Sequence, residues 1–96
     1  MDTISQGERT ARRVAARVGA LLERETPPGM ASWPPLLTIV GQDVDELLDR
    51  ISELQERDTA ETRGAVNVAV DRVLAQWRQA RAEWMRRKTQ GREVPA

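Results

Sequence analysis

The sequence has 96 residues, 15 cations against 15 anions, 40% hydrophobic residues and only 3% aromatic ones, enough for one small domain and no more. It has no cysteine, histidine, tyrosine or phenylalanine. That removes disulfides, thiolate chemistry, cysteine-based zinc sites and the usual proton shuttle near neutral pH.

Leu, Ile and Val supply 20 of the 96 residues, close to the roughly 20% below which chains tend to disorder. Balanced charge and regular apolar spacing nevertheless favour a folded chain. A core this thin leaves apolar surface for a protein partner or a second copy to cover. No apolar run approaches the ~18 residues that span a membrane, and "MDTISQGERTARR" lacks a signal-peptide core. A cytoplasmic protein with no membrane span is expected.

The first periodic segment runs from about Thr3 to Glu25. Ile4, Ala11, Val14, Ala15, Val18, Leu21 and Leu22 share one face at 3.6 residues per turn. The opposite face carries Arg9, Arg13 and Arg17 at i, i+4 and i+8, with no carboxylate three or four residues from any of them. No intrahelical partner offsets their repulsion. The ladder reads as a solvated cationic face or as a docking strip for something acidic.

"TPPGMASWPP" follows, residues 26–35. Its two Pro-Pro dipeptides, with Gly29 between them, end the first helix and stiffen the connection. Trp33 is expected to lie over the helix junction as a lid. Residues 36–57 form the second helical segment: Leu36, Leu37 and Val40 are in phase with Val44, Leu47, Leu48 and Ile51, and no second strand exists to pair with "LLTIV". A break is expected near 41–42, with Asp43 and Glu46 capping the main part. The outer side is acidic (Glu46, Asp49, Glu53, Glu56), with Glu46–Arg50 and Glu53–Arg57 as i, i+4 pairs.

The third helix should span about 60–89 after an Asp58/Glu61 cap, leaving a frayed tail at 90–96. It carries a seam of Val66, Val70, Val73, Trp77, Ala80 and Trp84 at spacings alternating between four and three residues, just ahead of Arg86-Arg87-Lys88. Val68 stands alone on its polar side. Charge divides unevenly along the chain: residues 26–63 are net −5, residues 64–96 net +4 and the first 25 net +1. An acidic helix lying beside basic ones is the simplest use of that division, orienting the helices more than stabilising them.

The carboxylates of "DVDELLDRISELQE" are the strongest sign of an enzyme. Small all-α nucleotide pyrophosphatases place paired E-x-x-E and E-x-x-D elements on two helices. Here Glu46/Asp49 and Glu53/Glu56 lie on one helix, and the third offers only Asp71 and Glu83 in its interior. As a calcium loop, the segment puts leucines at the fifth ligand and the required glycine. A helical chorismate-mutase-type pocket would need a lysine, and the only one is Lys88 in the terminal turn. No phosphate-binding loop or activated nucleophile is present. No catalytic residue, metal ligand or cofactor is therefore expected.

These readings converge on an all-α fold: a three-helix antiparallel bundle or long helical hairpin with a proline-rich first connection. The expected function is a non-catalytic protein–protein interaction module, an accessory, adaptor or regulatory subunit. Trp and Arg clustering at a helix end matches interface composition, so the expected partner-binding residues are Trp77, Trp84, Met85, Arg81, Arg86 and Arg87, together with Arg9, Arg13 and Arg17. The alternative is a nucleic-acid-binding or transcription-associated protein using the same arginines. The pI near 6.3 and the acidity of the second helix disfavour it. With the first and third helices parallel, the ladder and the terminal cations should form two separate patches.

Overall fold

The computed structural model of the chain describes residues 4–92. Among the described residues three helices carry the fold: α1 (Gln6–Arg24), α2 (Pro35–Glu56) and α3 (Ala60–Arg92), with a short 3-10 turn, Met30–Ser32, in the connection between α1 and α2. The fold is all-α, as the periodicity indicates. α2 packs extensively against both neighbours, whereas α1 touches α3 only slightly. Contacts of Gly7 with Leu54 and Gln55 at one end, and of Glu25 with Arg78 and Arg81 at the other, make α1 parallel to α3 and antiparallel to α2.

α1 starts where Ser5 caps it, its Oγ accepting from the Glu8 amide at 3.1 Å; the expected start at Thr3 lies outside the described residues. The buried face of α1 is Gly7, Ala11 and Val18, with Val14 and Leu22 half-buried, while Ala15 is exposed. Gly7 sits where α1 crosses the last turn of α2. A Cβ there would lie 2.4 Å from the Gln55 carbonyl oxygen and 2.8 Å from that of Leu54. Only glycine allows the N-terminus of α1 to approach so closely.

The expected break in α2 near 41–42 does not occur. The helix runs unbroken through Gly41, where a Cβ would meet nothing within 4 Å. A helical glycine costs about 1 kcal/mol relative to alanine, and the packing of Leu36 and Val40 on one side of it and Leu47 and Leu54 on the other holds the helix through that cost. Asp43 is consequently an interior residue and caps nothing. α2 begins instead with Pro35 in its first turn, where the missing amide is no loss.

The cap of α3 also differs from expectation. Thr59 Oγ1 accepts from the Thr62 amide at 3.2 Å and Thr62 Oγ1 accepts from the Thr59 amide at 3.0 Å, a reciprocal pair in place of Asp58 and Glu61. Asp58 is drawn inward by other partners. The C-terminal end of α3 continues through 90–92, inside the expected frayed tail; residues 93–96 lie outside the described residues.

The seam of α3 is core. Val66, Val70, Val73 and Ala80 are buried, Val73 and Ala80 completely. The core has two parts. Val18, Leu47, Leu54, Val66, Ala69, Val70 and Val73 join all three helices, while Met30, Leu36, Val40 and Ala80 join the α1–α2 connection to α3. Val44 and Trp77 pack against both parts and link them.

Candidate functional site

Trp84 and Trp33, with cations around them, pack on the second core cluster, and Trp77 sits between that cluster and the first. Trp77 is half-buried, and its Nε1 donates to Thr26 Oγ1 at 2.9 Å. Thr26 in turn donates to the Leu22 carbonyl, anchoring the ring to the end of α1. Trp84 is half-buried against the second core cluster and lies beside Gly29, where a Cβ would sit 3.6 Å from Cζ2. Gly29 has φ 92°, a left-handed conformation that favours glycine. Trp33 packs on the same cluster, as the lid reading expects.

The cations around these rings already have partners within the chain. Arg81 and Arg78 both reach Glu25, which follows α1. Arg86 and Arg87 pair with Glu83. Arg87 also lies 5.7 Å from the centroid of Trp33, and Lys88 lies 4.9 Å from that of Trp84. Met85 is 48% exposed and Val68 54%. Of the expected partner-binding set, Trp77, Trp84, Arg81, Arg86 and Arg87 are thus engaged with their own chain.

Arg9, Arg13 and Arg17 are different. All three are exposed, and none forms an ion pair among the described residues. Because α1 and α3 hardly touch, a groove of about 310 Å³ opens between them. Thr10, Arg13, Val14 and Arg17 form its α1 wall, and Arg63, Val66 and Asn67 its α3 wall. Leu54 of α2, fully buried, lies beneath it. Half-buried Val14 is the apolar residue the groove leaves accessible, Leu54 and Val66 lie sealed in the core beneath it, and Arg13, Arg17 and Arg63 line its sides.

One of those rim groups is held in place by a near-buried carboxylate. Asp58, its side chain only 8% exposed, faces Arg63 Nε at 2.7 Å. That approach is an ion pair without hydrogen-bond alignment, since Oδ1 has no hydrogen-bond partner. Thr10 Oγ1 lies 2.8 Å from Asp58 Oδ2 and 2.9 Å from the Gln6 carbonyl oxygen, sharing one hydroxyl proton between them. The Thr10–Asp58–Arg63 chain ties the α1 wall to the α3 wall.

Sequence reasoning identified Arg13 and Arg17 but missed Arg63, Thr10, Asp58 and the Leu54 beneath the groove. The available signal was Arg63 standing three residues before Val66, one turn ahead of the α3 seam on nearly the same side. The terminal cations lie far from this groove: Arg63 and Arg87 are separated by about 36 Å of helix rise. The ladder and the terminal run are two patches, as the topology requires.

The acidic face of α2 divides into paired and unpaired groups. Glu46 binds Arg72 of α3 at 3.2 Å and also approaches Arg50, while Glu53 turns to Arg50 at 2.8 Å and not to the expected Arg57. Asp45, Asp49 and Glu56 are exposed and have no cationic partner among the described residues. Among those residues no group of three or more His, Cys, Asp or Glu is placed to hold a metal ion, and no helix is long and apolar enough to cross a membrane. Comparison with protein-family models, with curated proteins and with solved structures finds no match.

Proposed function

We propose that the chain is a non-catalytic, cytoplasmic helical interaction module that takes an acidic amphipathic helix of a protein partner into the groove between α1 and α3. The observation that carries this reading is the juxtaposition in one cleft of the half-buried Val14 and three arginines, two of them without an ion pair among the described residues. An apolar stripe laid into a groove with carboxylates over its rim is a recurrent mode of helix recognition. Arginine suits the rim because its planar fork donates two parallel hydrogen bonds to a carboxylate. The valines and Ala80 of the α3 seam are buried in the chain's own core, and Trp77 and Trp84 are half-buried there.

A synthetic peptide of about four helical turns, with carboxylates one turn apart around a leucine, tests the reading. It should bind with a dissociation constant on the order of 10⁻⁵–10⁻⁴ M, weakening with salt. An Arg13→Ala/Arg17→Ala/Arg63→Ala variant should lose that binding. Affinity untouched by the triple substitution would refute the groove as the docking surface. Sub-micromolar, sequence-dependent binding of DNA or RNA at physiological salt, lost in the same variant, would establish nucleic acid as the partner instead.

A further inference from the structure

We infer that the helix occupying the α1–α3 groove is α2 of a second copy of this chain. The inference rests on the docking mode proposed above and names its occupant. Asp45, Asp49, Ser52 and Glu56 recur at i, i+4, i+7 and i+11 and occupy an arc of about 60° on α2. Leu48, 56% exposed, borders that arc. These residues are therefore an acidic strip with a leucine beside it, lacking any cation of their own among the described residues. The groove supplies the complementary elements: exposed arginines beside the half-buried Val14.

The spacings agree as well as the signs. Arg13 and Arg17 are four residues apart on α1, and Asp45 and Asp49 are four apart on α2, so each pair spans about 6 Å along its helix axis. An incoming α2 running antiparallel to α1 sets Asp45 against Arg17 and Asp49 against Arg13. The same register sets Glu56 level with Gln6, about 4.5 Å of helix rise from Arg9. Leu48 then faces the half-buried Val14, and the visiting helix becomes the fourth member of the bundle.

The strip and the groove cannot satisfy each other within one closed pair. Leu54, beneath the groove, lies on the side of α2 opposite Asp45 and Glu56, by helical phase about 160–180° away. Each molecule thus presents a receiving face and an entering face on opposite sides. Contacts of this kind are heterologous and extend into open chains unless the rotation closes a ring.

Sedimentation of the wild-type chain over a concentration series to about 1 mM, at low and high salt, provides the test. The expected result is a mean mass that rises with concentration beyond a dimer and falls with salt. Arg13→Glu/Arg17→Glu and Asp45→Arg/Asp49→Arg should each remain monomeric alone, with association weakened at least tenfold, and each should keep the wild-type circular dichroism. Mixed in equal amounts, they should form a 1:1 heterodimer, because one keeps its strip and the other its groove. A wild-type monomer at every concentration would overturn the inference, as would self-association unchanged by both double variants. Binding of the acidic peptide together with a monomeric wild type would leave the groove as a docking site and assign its occupant to another protein. Failure of both would remove the docking reading itself.

Discussion

Replacing glycine by alanine should have opposite effects at two positions of the same helix. At Gly19 of α1 a Cβ meets nothing within 4 Å, so Gly19→Ala should stabilise the fold by about 0.5–1 kcal/mol through helix propensity and a stiffer unfolded chain. At Gly7 the new Cβ would stand 2.4 and 2.8 Å from two backbone oxygens of α2. Those atoms belong to the helix frame and cannot swing aside, so the N-terminal turn of α1 must lift away. Overpacking of this kind costs about 1–3 kcal/mol, and the propensity gain offsets only part of it. The expected net loss is about 1–2 kcal/mol, or a drop in melting temperature of roughly 4–16 °C for a domain of this size. Thermal and urea unfolding followed by circular dichroism measure both variants directly. A Gly7→Ala protein as stable as Gly19→Ala would refute the close crossing of α1 over α2, and with it the placement of Thr10 beside Asp58.

Thr26→Val should leave the Trp77 indole N–H without its partner, costing about 1–3 kcal/mol in urea unfolding, and should shift the tryptophan fluorescence; an unchanged midpoint would contradict the hydrogen bond. Trp84→Ala should destabilise the fold by up to about 3–5 kcal/mol, because the ring packs on the core cluster of Met30, Leu36, Val40 and Ala80 and beside Gly29, and should leave peptide binding by the remaining folded protein intact. Loss of peptide binding without loss of stability would instead place the interface at the tryptophans.

The helices and the α3 seam were legible because a buried stripe writes its period directly into the sequence. Val66, Val70, Val73 and Ala80 are buried in the register their spacing gives. The break at Gly41 was misread because a weak local preference competes with packing that only the fold reveals: Val40 and Val44 meet α3 on either side of the glycine. The cap at Asp58 was misread for a related reason. Thr59 and Thr62 can form the reciprocal cap themselves, which frees Asp58 to meet Thr10, 48 residues away in sequence. The groove was only half legible. Its α1 rim shows as an arginine ladder without local carboxylates, but its other wall and the Leu54 beneath it come from residues about fifty and forty positions further along, and only the weak α1–α3 contact opens the space between them.

The claim that an acidic helix enters this groove is tested most directly by methyl NMR of the full chain during titration with the acidic peptide. Binding in the groove should move the methyl resonances of Val14, Leu54 and Val66, and leave those of Met30 and Val40, at the far end of the core, in place. Shifts confined to Met30, Val40 and Met85, with Val14, Leu54 and Val66 unmoved, would contradict the account.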